Sequence, residues 1–61
     1  MARLRFQTRV TYDGPGWGWR VDVLEGEKVV LATWHVSKPS AEDVRMDRRG
    51  VEQAARIREA A

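Results

Sequence analysis

The residues from Tyr12 to Val36 leave the chain few choices, because they read as a tryptophan-rich β-hairpin with a turn at either end. Trp17-Gly18-Trp19-Arg20-Val21-Asp22-Val23 alternates large apolar residues with small or charged ones, which is the period-2 pattern of a half-buried strand. Trp17, Trp19, Val21 and Val23 are therefore expected to face a core. Glu25-Gly26-Glu27-Lys28 is long enough to reverse the chain, and a glycine at 26 can take the positive φ that a tight hairpin needs. Val29 to Val36 then returns, rich in β-branched and aromatic residues. Ahead of the hairpin, Asp13-Gly14-Pro15-Gly16 suits neither a helix nor a strand interior and predicts a second turn.

From Arg3 to Tyr12 the alternation is cleaner still. Leu4, Phe6, Thr8, Val10 and Tyr12 point one way, and Arg3, Arg5, Gln7, Arg9 and Thr11 the other. Three strands joined by short turns predict an antiparallel meander. The third strand has two readings. Val30, Ala32, Trp34 and Val36 are all apolar, whereas Val29, Leu31, Thr33 and His35 are half polar, so the first set is assigned to the core. That choice leaves Leu24, Val29 and Leu31 as an apolar patch on the outer face, beside Arg20 and Asp22. The reverse choice puts Trp34 outside, next to the arginines.

Ser37-Lys38-Pro39-Ser40 ends the third strand. A helix can start at Ser40, with Glu42 and Asp43 in its first turn, or again at Asp47. Gly50 costs a continuous helix roughly 1 kcal/mol relative to alanine, which predicts a break or kink near residues 46–50. Beyond it, Val51, Ala54, Ala55 and Ile57 are expected on the side facing the sheet, with Glu52 and Arg56 as an i,i+4 pair. The predicted fold is α+β: residues 1–61 as one domain, a three-stranded antiparallel meander packed on one face by a C-terminal α-helix (β-β-β-α).

At 61 residues the chain buries only about 60% of its unfolded surface, and with no cysteine it has neither a disulfide framework nor a thiolate zinc site. Oligomerisation is a usual remedy for so small a core. No segment approaches the roughly 20 apolar residues of a membrane span, and the first residues lack a signal-peptide pattern, so a cytoplasmic location is expected. Catalysis is not expected, because His35 is the sole histidine and no nucleophile is paired with a base and an orienting group. A carboxylate across the sheet such as Asp22 could pair with it. No ligand spacing suggests a metal, and no cofactor or small-molecule substrate is implied. Gly14, Gly16 and Gly18 lead into a strand and not a helix, which argues for turns and against a phosphate loop.

Charge points to a partner. The formal net charge is +2, but residues 1–20 carry +3, residues 21–43 carry −3 and residues 44–61 carry +2, and nine of eleven basic residues are arginine. Arg3, Arg5, Arg9 and Arg20 are expected to share the outer sheet face, with Gln7, Thr11, Thr33 and His35 as further polar contacts. Such a face can lie in a DNA major groove. Trp19-Arg20-Val21 and the order of elements resemble the ethylene-response-factor DNA-binding domain and the arm-binding domain of tyrosine integrases, which implies DNA binding by the sheet. Tyr12-Asp13-Gly14-Pro15-Gly16-Trp17-Gly18-Trp19-Arg20-Val21, with the helix Gly50 to Ala61, also resembles the N-terminal module of HicB-type antitoxins. The proline-aspartate-leucine-proline-glycine segment of that family is missing here. This second resemblance implies a protein partner, usually with dimerisation, and Leu24, Val29 and Leu31 are the residues expected to meet it.

Overall fold

A computed structural model describes residues 5–60. Strands β1 (Phe6–Gly14), β2 (Gly18–Glu25) and β3 (Lys28–His35) form one antiparallel sheet in the order β1-β2-β3, and helix α1 (Ala41–Ala60) packs on one face of it. This is the expected β-β-β-α architecture. Arg3 and Leu4 lie outside the described residues.

Both turns follow from their glycines. Trp17 N–H donates to the Gly14 carbonyl (3.2 Å), with Pro15 and a positive-φ Gly16 (+88°) between them, which are the residues a type II turn requires. Trp17 thus belongs to the turn and is 71% exposed, not core-facing as its alternation suggested. Between β2 and β3 the loop is only Gly26–Glu27, with Gly26 at φ +64°.

A two-residue loop pairs Glu25 with Lys28 and Leu24 with Val29. Continued without interruption, that register would put Val30, Ala32 and Trp34 on the face of Val21 and Val23. Instead a β-bulge intervenes, and Val23 pairs with Leu31, Asp22 with Ala32, Val21 with Thr33 and Arg20 with Trp34. One extra residue moves every side chain beyond it to the opposite face. The expected phase of β3 is therefore corrected: Leu31, Thr33 and His35 face the helix, while Ala32 and Trp34 stand on the open face.

The core is small. Phe6, Val23, Val51 and Ala55 are buried against one another, with Leu31 packed on their edge, and Val21 is fully buried at the sheet centre. Each such valine or phenylalanine is worth about 1.5–3 kcal/mol when removed from water. Ser40 caps the helix: its Oγ accepts from the Asp43 N–H (3.1 Å), and its own N–H donates to Asp43 Oδ2 (3.0 Å). The Ser40 backbone N–H first, and then the Ser40 hydroxyl, hold the Asp43 carboxyl below its ordinary range.

The helix then runs unbroken through Gly50, so the expected kink is absent. Its buried residues are Val51 and Ala55, whereas Ala54 and Ile57 are exposed, correcting the predicted helix face by part of a turn. Among the described residues no helix is long and apolar enough to cross a membrane.

Candidate functional site: the open face of the sheet

With α1 on one face, the other face of the sheet is uncovered among the described residues. The register arranges it in three rows across the strands: Thr11, Arg20, Trp34; then Arg9, Asp22, Ala32; then Gln7, Leu24, Val29. Read down the strands, β1 contributes a polar column and β3 an apolar one, because paired residues share a face and side chains alternate along each strand.

The charges gather around the middle column. Arg9 Nη2 donates to Asp22 Oδ2 (3.0 Å), and Arg20 Nε lies 3.2 Å from Asp22 Oδ1, with Arg20 Nη1 3.5 Å from Asp13 Oδ2. Asp22 is only 2% exposed although no second layer covers this face; the two arginine side chains are its roof. Two cations thus meet two anions, so the array carries no net formal charge. Hydrogen-bonded pairing is what makes such a desolvated carboxylate tolerable.

The apolar column ends in exposed tryptophan. Trp34 is 54% exposed and Val36, just past the strand, is 99% exposed. Together with Tyr12, Pro15 and Trp17 they line a cleft of about 300 Å³ at the turn end of the sheet. Gly18 shapes this end, because a Cβ there would collide with the backbone carbonyl oxygen of His35. On the helix side Tyr12 tilts against Trp19 at 5.0 Å between ring centroids, and the Lys38 ammonium sits 5.8 Å from the Trp19 ring.

Of the residues expected on this face, Gln7, Arg9, Thr11 and Arg20 are there, and so are Leu24 and Val29. Arg5, Leu31, Thr33 and His35 are not. Arg5 turns to the helix side: its Nε donates to Glu25 Oε2 (2.6 Å) and its Nη1 to Glu59, and its guanidinium lies 5.0 Å over the Phe6 ring. Hydrogen bonds to Glu25 and then Glu59 raise its pKa above the ordinary arginine value, and this ties the start of β1 to the last turn of α1. Arg3 lies outside the described residues.

His35 and Thr33 meet the helix, and the expected partner Asp22 is replaced by Asp47. Thr33 Oγ1 donates to Asp47 Oδ2 (2.8 Å) and lies 3.2 Å from His35 Nε2, which is itself 3.8 Å from Asp47 Oδ2. Hydroxyl and carboxylate both approach the same imidazole nitrogen. A nucleophile relay needs them at opposite nitrogens, so the cluster is built to join β3 to α1. Among the described residues no group of three or more metal-ligating side chains comes together.

Ala32 and Asp13 are the functional-face residues that sequence reasoning missed; Asp22 was expected there, and Trp34 only under the reverse reading of β3. The acids were visible as cross-strand neighbours of arginines, but Ala32 and Trp34 reach this face only through the bulge. Comparison with protein-family models, with curated proteins and with solved structures finds no match for the chain.

Proposed function

We propose that the chain is a non-enzymatic binding module that docks another protein on the open face of its sheet, through the column Val29, Ala32, Trp34 and Val36. The observation that carries this reading is Trp34, half exposed in an apolar column beside an ion-paired array of no net charge. A large aromatic flanked by small apolar residues makes a good anchor, and already paired charges add little desolvation cost when a partner arrives.

The test places a photo-reactive group on the face. With Trp34→p-benzoylphenylalanine, irradiation of expressing cells should give protein adducts, and the same group at Arg49 on the helix should give none. No protein adduct at position 34 overturns the reading.

DNA is the second reading, favoured by Gln7, Arg9 and Thr11 running down β1 beside Arg20 on a face open enough to enter a major groove. Phosphates would have to draw Arg9 and Arg20 away from Asp22 and Asp13. Titration of a random-sequence duplex at two salt concentrations decides it: DNA binding requires salt-sensitive association, with a slope smaller by about one in the Arg9→Ala variant. The protein-docking reading predicts no association.

A further inference from the structure

We infer that the protein docked on this face is a second copy of the chain, packed open face to open face about a two-fold axis. The inference rests on the protein-docking reading above and names its partner.

The surface area points to self-association. The protomer exposes 4958 Å², whereas a 7.0 kDa monomer is expected to expose about 4,000 Å². The excess of roughly 900 Å² is surface that a compact chain of this mass would have covered. The radius of gyration, 12.6 Å against about 10.5 Å for a compact chain of this length, belongs to an elongated protomer of 41 × 27 × 21 Å. Among the described residues the core has five buried apolar residues, and in a chain without cysteine that is what a protomer shows when part of its core is completed by a neighbour.

The face is also self-complementary. A two-fold contact sets the same patch against itself, so any unbalanced charge on it would meet its own kind. Here Arg9 and Arg20 are matched by Asp22 and Asp13 within each copy, and no repulsion follows. Laying one β3 column over its counterpart brings Ala32, Trp34 and Val36 of both copies together. The β1 columns, with Gln7, Arg9 and Thr11, are left at the rim, which is the apolar-centre, polar-edge order of a stable interface. The far side of the helix offers nothing comparable, since Arg49, Glu52, Gln53 and Arg56 occupy it.

Sedimentation equilibrium tests the inference. The wild type is expected at twice 7.0 kDa, and Val36→Glu should raise the dissociation constant by more than about tenfold by setting two like charges near the axis. Val36 is fully exposed in the protomer, so this variant does not disturb the core; Trp34→Glu, with far-UV circular dichroism as the control for folding, should act in the same direction. A dimer indifferent to both substitutions overturns the assignment of the face. A wild type at single-copy mass that still gives adducts to a different protein from position 34 overturns self-pairing and leaves the docking reading standing. Single-copy mass with no protein adduct overturns both.

Discussion

Asp22 gives the sharpest energetic prediction, because it is a buried carboxylate with a half-exposed partner on one side and a shared one on the other. Asp22→Ala removes the Arg9 bond at 3.0 Å and the Arg20 contact at 3.2 Å. Breaking a buried pair usually costs 3–5 kcal/mol, because the surviving charge is stranded. Here the survivors have somewhere to go. The Arg9 side chain is already 55% exposed and turns into water, and Arg20 keeps Asp13 at 3.5 Å. The cost of Asp22→Ala should therefore fall to about 1.5–3 kcal/mol, that of one hydrogen bond to a charged group. The double variant Arg9→Ala/Arg20→Ala removes the roof itself, so water reaches the Asp22 carboxylate, and its cost should stay below about 3 kcal/mol as well. The assay is urea unfolding followed by tryptophan emission at one fixed protein concentration, since dimerisation links stability to concentration. A cost of about 3–5 kcal/mol for the double variant, the penalty of a carboxylate left buried and unpaired, would refute the view that the arginines roof the acid.

Val23, fully buried between Phe6 and the helix, should cost about 2–3 kcal/mol when cut to alanine, whereas Ala54→Asp on the exposed helix side should stay within about 0.5 kcal/mol in the same urea assay. Gly18→Ala meets both an unfavourable φ of +74° and the His35 carbonyl, so its melting temperature should fall further than that of Gly16→Ala, which meets only the unfavourable φ. Asp43 has a lowered pKa in the folded state, so its contribution is complete above the ordinary carboxylate value of about 3.9 and is lost as pH falls below it. Helix content by circular dichroism should decline over that acid range, and Asp43→Asn should lessen the dependence.

Much of this was legible in the residues. The two turns, the antiparallel meander and the Ser40 cap each depend on local chemistry: a glycine at positive φ, a proline at the second position of a turn, an acid three residues after a serine. The phase of β3 depends on register, which is not local. Val30, Ala32 and Trp34 are the more apolar set, and an unbulged two-residue hairpin would have buried them; the bulge beside Val23 and Leu24 hands the inner face to Leu31, Thr33 and His35 instead. The polar pair is tolerated there because Thr33 bonds Asp47 and His35 lies beside both. The helix differs for a simpler reason. Gly50 has no neighbouring atoms where a Cβ would be, so its cost is the intrinsic ~1 kcal/mol alone, which the surrounding helix absorbs.

The central claim, that two copies meet on their open sheet faces, is tested most directly by pulsed electron–electron distance measurement. The chain has no cysteine, so Gln7→Cys and Gln53→Cys each accept a single spin label, the first on the open face and the second on the exposed side of the helix. Sheets packed face to face sit about 10 Å apart, which puts both helices on the outside of the assembly. The account predicts dipolar coupling between copies, with the Gln53 labels farther apart than the Gln7 labels. The reverse order, or no coupling at either position, would contradict it.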